Sequence, residues 1–267
     1  MWYLLSIPAV AALYALATRC RKGHPGLASL RGWRYAHRGL HGNGAPENSM
    51  EAFRRAVEGG YGMELDIHLL KDGSLAVLHD HSLKRTAGAD AIIEDLTADD
   101  LPQYRLEGTE ETVPLFSQVL SLVGGKVPLI VELKATTENF AALCEAATQI
   151  LDGYNGVYCI ESFDPRCVAW LKKNRPQIIR GQLSENFFRS DPKMSLPLKL
   201  MLSTLVDNLV TRPDFVAYKC ADRKNLSVFL CRKLFRLQGV SWTLRSKEEY
   251  DIAVKEGWLP IFENFRP

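Results

Sequence analysis

The feature that most restricts the fold of this chain is an alternation. From Arg34 onward, short apolar runs of extended character take turns with amphipathic segments, and the cycle continues to the end of the chain. The runs at 34–37, 63–70, 128–133, 157–162, 178–182, 215–219, 240–243 and 258–262 read as strands. Residues 49–58, 116–123, 139–152, 165–174, 193–210, 225–237 and 247–256 read as helices, the long 193–210 segment with an early interruption at Pro197. The punctuation agrees. Asn48 or Ser49 can cap the first of these helices, Gly59-Gly60 can stop it, and Pro165 sits at a first helical turn. A helix between two strands returns the chain to the same end of the sheet, so the strands are expected to be parallel. Eight such units predict an α/β fold, a (β/α)8 TIM barrel, and 267 residues suit one. A doubly wound sheet is the alternative, but no G-x-G-x-x-G follows the first strand. A further extended run at 75–79 follows the turn Lys71-Asp72-Gly73. Residues 80–114 are then polar, irregular and too long for an ordinary connection, which predicts an insertion covering the site.

Residues 1–18 are almost wholly apolar and carry no charge. At ~1.5 Å per residue they are just long enough to span a membrane. Trp2 and Tyr3 would sit at one interface, with Arg19, Arg21 and Lys22 at the other, which places the following domain in the cytoplasm. A signal peptide, with Ala15-Leu16-Ala17 as its cleavage site, lacks the basic start it needs; a buried N-terminal helix is a third reading. The expected organisation is a single-pass transmembrane anchor at 1–18, a juxtamembrane linker at 19–32 and the barrel at 33–267. A net charge of +2 gives no reason to expect a nucleic-acid partner. Six scattered cysteines contain no C-x-x-C pair and read as small buried apolar residues. Nothing in the sequence indicates an oligomeric state.

Chemistry-bearing residues crowd into 34–80: His37-Arg38, Glu47, Glu64, Asp66, His68 and His79-Asp80, with Glu132 and Lys134 further on. Side chains on a strand alternate faces, so Glu64, Asp66 and His68 share one face and Leu65, Ile67 and Leu69 the other. Glu132 and Lys134 share a face in the same way. In a barrel the active site lies at the C-terminal strand ends, where His37, Glu132, Lys134, Ser162, Lys219 and Trp242 all fall. Inward carboxylates need a cation or a hydrogen-bond network to offset their desolvation. Three carboxylates without a cysteine partner suit a hard divalent ion, Mg2+ or Ca2+. The competing reading is an ion-pair network with Lys134 and Arg38. His37 and His79 are suited to acid–base work on a phosphodiester, and Arg38 offers a planar fork for phosphate oxygens. His24, His41, His68 and His81 read as structural, His68 being the closest to the site. Glu161 reads equally as an ion pair or a pocket wall.

These motifs carry a resemblance. His37-Arg38-Gly39, Pro46-Glu47-Asn48-Ser49, Glu64-Leu65-Asp66, Lys71-Asp72-Gly73 and His79-Asp80 resemble the signature of glycerophosphodiester phosphodiesterases. Val131-Glu132-Leu133-Lys134, Ser162-Phe163-Asp164 and Trp242-Thr243 are similar to that family's later motifs. The resemblance runs from about residue 33 to the end. It implies a TIM barrel with an insertion after the second strand, and one divalent metal held by Glu64, Asp66 and Glu132. His37 and His79 would be the acid–base pair. Arg38 and Lys134 would bind phosphate oxygens, Glu47 would position the His37-Arg38 loop or the glycerol, and Trp242 would wall the glycerol pocket. The implied substrate is a glycerophosphodiester or a lysophospholipid. One histidine would deprotonate the neighbouring glycerol hydroxyl, the other would protonate the leaving alcohol, and water would then open the cyclic phosphate. A lysophospholipase D-type or cyclising phosphodiesterase is an alternative on the same scaffold, and a non-catalytic headgroup-binding barrel a further one. The chain departs from the family pattern at its end. Glu263-Asn264 stands where a Thr-Asp pair is usual, and Leu244-Arg245 follows Trp242-Thr243 where an Asn is common. Both departures concern substrate-pocket walls.

Overall fold

Eight parallel strands close into a ring. The computed structural model describes residues 2–267, with side chains from residue 8 onward in the first helix. The strands are β1 (Tyr35–Ala36), β2 (Gly62–Leu69), β3 (Leu75–Val77), β4 (Leu129–Leu133), β5 (Tyr158–Ser162), β6 (Arg180–Ser184), β7 (Phe215–Lys219), β8 (Gln238–Leu244) and β9 (Trp258–Phe262). β1 pairs in parallel with both β2 and β9, so the order β1-β9-β8-β7-β6-β5-β4-β2 returns to its start. β3 is the exception. It lies antiparallel against Ile67–Leu69, the end of β2 that two-residue β1 leaves uncovered. The expected barrel is therefore present, and the 75–79 run is a short hairpin arm attached to it.

The helices are α1 (Trp2–Ala17), α2 (Met50–Glu58), α3 (Lys84–Ala87), α4 (Phe116–Val123), α5 (Phe140–Asp152), α6 (Pro165–Asn174), α7 (Phe187–Ser190), α8 (Leu196–Ser203), α9 (Asn208–Thr211), α10 (Leu226–Phe229) and α11 (Lys247–Lys255). Strand parity sorts the apolar residues into two layers. Met63, Leu65 and Ile67 of β2 and Leu129, Val131 and Leu133 of β4 face outward into one cluster with Phe53, Phe116 and Leu143 of the surrounding helices. Tyr35, Ile130, Cys159, Phe215, Val240 and Ile261 form the second cluster inside the ring. The inward positions that follow these, toward the C-terminal strand ends, are the polar ones. The interior is tight where β6 meets β7: a Cβ on Gly181 would lie 2.2 Å from the buried Phe215 ring.

Three expectations change. The first is the anchor. Among the described residues no helix is long and apolar enough to cross a membrane. α1 has 16 residues, or about 24 Å against a hydrocarbon core of roughly 30 Å. Its last turn is docked on the barrel: Tyr14 Oη contacts Ser227 Oγ at 2.5 Å, and the Thr18 carbonyl accepts from Asn208 Nδ2 at 3.2 Å. The interfacial placement expected for the Trp2 and Tyr3 side chains lies outside the described residues. The second concerns 19–32, expected as a linker. Arg21 pairs with buried Asp214 at 2.5 Å, and Leu30 enters the interior cluster while its carbonyl accepts from Tyr35 Oη at 2.7 Å. This stretch packs against the N-terminal end of the barrel.

The third is the helix at 193–210, which is divided into α8 and α9 and preceded by α7. Pro197 sits in the first turn of α8, and Leu205, at φ +56°, breaks the chain before α9. The helix expected at 225–237 is likewise α10 followed by a π turn at Leu230–Leu234. The insertion at 80–114 is ordered around its own small core of Leu78, Leu83, Ile93, Leu101 and Leu106. Replacing Gly181 by Ala forces a methyl into the ring of Phe215. Equilibrium urea unfolding is expected to show a loss of about 1–3 kcal/mol, whereas Gly153→Ala, whose nearest new contact is at 3.7 Å, should be tolerated.

Candidate active site

His37 is delivered by the edge of the ladder. Its backbone N–H donates to the Phe262 carbonyl at 2.9 Å, extending β1 by one residue, and the chain then turns sharply. Arg38 and Asn48 both adopt left-handed backbone, at φ +54°, and the Asn48 N–H closes the turn on the Arg38 carbonyl at 2.9 Å. Gly39 is required within it, because a Cβ there would meet the backbone of Ala52 at 2.9 Å. Ser49 then caps α2 by accepting from the Ala52 N–H. The turn brings the Arg38 guanidinium between Glu47 (2.9 Å) and Asp66 (3.6 Å).

β2, β4 and β5 are in register with Asp66 beside Glu132 and Glu132 beside Glu161. With Glu64, one layer below, this makes four carboxylates that are 1–6% exposed. Ligand oxygens of Glu64, Asp66 and Glu132 all lie within 4.8 Å of one another. Lys134 Nζ stands 3.0 Å from Asp66 and 2.6 Å from Glu132. Asn48 Nδ2 donates to Asp66 at 2.9 Å, and the Arg38 N–H donates to Glu64 at 3.2 Å. Glu161 Oε2 is buried and has no hydrogen-bond partner among the described residues. Lys134 and Arg38 are therefore the two cations serving four acids. The electrostatic consequence is uneven. Burial, with the neighbouring acids, pushes Glu64 and Glu161 well above the usual carboxylate range and Glu132 to about 7. Asp66, although buried, is held far below that range by Lys134, His79 and Arg38. A divalent ion would offset the mutual repulsion and desolvation that push three of these acids toward the neutral form, and an all-oxygen donor set without cysteine fits a hard ion.

The two histidines flank this cluster. His37 Nε2 lies 3.9 Å from Glu64, and its Nδ1 is 3.3 Å from Glu263. His79 follows β3, and its Nδ1 contacts Asp80 at 2.6 Å, which leaves Nε2 free. From Asp80 an ionic chain continues to Arg85 (2.6 Å), Glu47 (2.6 Å) and back to Arg38 (2.9 Å). Behind it His68 is fully buried, with Nε2 3.3 Å from the His79 carbonyl and Nδ1 2.7 Å from Glu94. His68 thus buttresses the His79 backbone, in keeping with a structural reading. Burial lowers the pKa of His37, and burial with Lys134 and Arg38 nearby lowers that of His79 to about 4.

Trp242, on β8, stands across the barrel mouth from β4. Its ring meets Phe163 edge-on at 5.6 Å and has Lys219 Nζ 5.9 Å from its centre. Beside it a cleft of about 620 Å³ leads from Glu132, Lys134 and Ser162 to apolar walls at Phe187, Met194, Leu198 and Met201. The residues singled out from sequence therefore sit around one mouth: His37, Arg38, Glu47, Glu64, Asp66, His79, Glu132 and Lys134 on one side, Trp242 on the other. Sequence reasoning gave Asn48 only as a helix cap and motif residue and Asp80 only as the neighbour of His79, passed over Arg85, and did not assign Glu161 or connect Glu263 with His37. Two signals were available. Glu161 and Glu263 continue the inward parity of Cys159 and of Leu259 and Ile261.

Comparison with known proteins agrees with this geometry. Residues 37–262 match the Glycerophosphoryl diester phosphodiesterase family. A glycerophosphodiester phosphodiesterase of Bacillus altitudinis is 33% identical over 155 residues, 54% of this chain and 63% of its own length. One from Caldanaerobacter subterraneus is 32% identical over 158 residues, 55% of this chain and 65% of that protein. The chain thus spans a little under two thirds of these relatives. Human lysophospholipase D GDPD1 is 32% identical over 133 residues, 45% of this chain and 41% of its own. Among solved structures, an Oleispira antarctica phosphodiesterase in complex with its product sn-glycerol-3-phosphate superposes with a TM-score of 0.73 at 20% identity, covering 88% of this chain and 94% of that one. At that identity the likeness speaks for the barrel fold. The family match over most of the chain, together with a shared barrel, shows that this protein belongs to the glycerophosphoryl diester phosphodiesterase family.

Proposed function

We propose that this chain hydrolyses glycerophosphodiesters to glycerol 3-phosphate and an alcohol, using one divalent ion, Mg2+ or Ca2+. The observation that carries this reading is the buried carboxylate cluster, with more acids than cations to serve them and an imidazole on either flank. Glu64, Asp66 and Glu132 would hold the ion, which when bound neutralises charge on the phosphoryl oxygens. Lys134 and Arg38 hold the remaining phosphate oxygens, Arg38 being kept in place by Glu47 and, through it, by Arg85. One imidazole takes the proton of the glycerol hydroxyl as its oxygen bonds to phosphorus. The other gives a proton to the alcohol oxygen as the phosphorus–oxygen bond breaks. Water opens the resulting cyclic phosphate with the two proton transfers reversed. In the free protein the lowered pKa of both histidines favours the neutral form. The negative phosphodiester, arriving beside them, favours the protonated form of the one that must act as acid.

The apolar walls of the cleft favour a second reading of the substrate, a lysophospholipid whose acyl chain lies along Met194, Leu198 and Met201. Hydrolysis of a glycerophosphodiester panel beside a lysophospholipid panel separates the two: turnover of the short substrates with none of the acylated ones would remove the lipid reading.

Excess EDTA is expected to abolish turnover and added Mg2+ or Ca2+ to restore it. Glu64→Gln and Glu132→Gln should each lower metal-restored activity by about 100-fold or more. Full activity in EDTA would overturn the metal requirement. Removing either imidazole, as His37→Ala or His79→Ala, is expected to lower kcat by roughly 10²–10⁴-fold, and unimpaired turnover would remove that histidine from the proton transfers. In the metal-free protein the His79 imidazole should stay neutral from pH 8 down to about pH 5 and titrate with a midpoint of about 4, as followed by nitrogen NMR. A midpoint near the ordinary histidine value would show that burial does not act on it.

A further inference from the structure

Twelve of the sixteen exposed large apolar side chains described lie on one sector of the molecule, formed by α1, α7–α10 and the π turn after α10. These elements are neighbours. Tyr14 of α1 meets the Thr204 carbonyl just after α8 and Ser227 of α10, while Thr18 meets Asn208 of α9 and Cys231 of the π turn. The exposure is substantial: Leu196 61%, Val210 60%, Leu226 62%, Phe229 57%. Residues 8–13 of α1, Pro-Ala-Val-Ala-Ala-Leu, are exposed on every side. A helix apolar all round is ordinarily buried, so the bare segment points to a covering surface.

Its direction matters. Tyr14 lies beside Ser227, at the start of α10 near the C-terminal end of β7, while Thr18 lies beside Cys231 one turn further along. Followed backward from Ala17, α1 therefore runs toward the catalytic end of the barrel. The catalytic cleft reaches the same sector, because α8 gives Leu198 and Met201 to the cleft wall while Leu196 and Leu200 stand exposed beside them.

Charge identifies what covers the sector. Lys193, Lys224 and Lys233, just before α8, just before α10 and on the π turn, are exposed and have no acidic partner among the described residues. A water-facing surface has no use for a broad apolar area rimmed by unpaired cations, whereas an anionic lipid surface matches both features. We propose that this sector docks the protein on the surface of an anionic membrane, lying in the interface rather than crossing it. α1 enters the headgroup layer beside α8–α10, and the mouth of the cleft opens onto the lipid. This surface is independent of turnover, so it stands or falls apart from the activity proposed above.

The test is flotation of the full chain with phosphatidylcholine vesicles, with and without phosphatidylglycerol. Two double variants accompany it, Leu209→Ser/Phe229→Ser and Lys224→Glu/Lys233→Glu. All four positions are exposed and outside the cleft, so folding and hydrolysis of a water-soluble glycerophosphodiester should be unchanged. The unaltered chain is expected to float with anionic vesicles and much less with neutral ones. Each variant should bind anionic vesicles about ten-fold or more weakly. Failure of the unaltered chain to float, or variants that bind anionic vesicles as tightly as the unaltered chain, overturns the proposal. So does a vesicle-free dimer that Leu209→Ser/Phe229→Ser dissociates, which would make the sector an interface between two copies of the chain.

Discussion

Four buried carboxylates share two cations at the mouth of this barrel, and much of the structure answers to that imbalance. Glu64, Asp66, Glu132 and Glu161 come from three adjacent parallel strands, where register alone brings them side by side. Desolvation would drive all four to the neutral form. Lys134 and Arg38, with the Asn48 amide, keep only Asp66 firmly charged. The cluster is thus a site shaped for an added positive charge. It is also a local cost to stability, offset by the apolar packing around and below it.

The neighbouring loops hold the participants still. Arg38 reaches Asp66 only because the 38–48 turn adopts left-handed backbone at both ends and Gly39 lets it lie against α2. His79 is fixed from two directions. Asp80, Arg85 and Glu47 tie its ring into the same ionic chain as Arg38, and His68 with Glu94 supports its carbonyl from behind. The insertion at 80–114 contributes Asp80, Arg85 and Glu94 to these supports, so its small core holds the groups around His79. On the opposite side the chain between β6 and β7 is broken into three short helices. That break opens an apolar wall beside Lys134 and exposes the flank that we assign to a lipid surface.

Much of this was legible in the residues. The alternation of strands and helices named the barrel because parallel strands, each buried on both faces, leave long apolar signals. The face-sharing of Glu64 with Asp66 and of Glu132 with Lys134 marked the residues that the barrel brings together. Boundaries suffered where local rules compete with tertiary packing. The 193–210 segment has helical composition throughout, yet Leu205 is turned into left-handed backbone as its side chain is buried. Residues 1–18 have the composition of a membrane span, but the helix ends at Ala17 and its last turn is docked on α9 and α10.

What the sequence by itself determined is the class of fold, the inward face of each long strand and the residue types available for metal, phosphate and proton. Those follow from periodicity, which is local. What only the tertiary structure decided is which of these groups meet. Glu161 becomes a fourth acid because β5 lies beside β4, and Glu263 reaches His37 because β9 closes onto β1. Arg85 connects Glu47 with Asp80 because the insertion folds back over the mouth. The identity of a cluster depends on barrel closure and loop return, which join positions far apart in the chain, and no pattern within a window of residues encodes those distances.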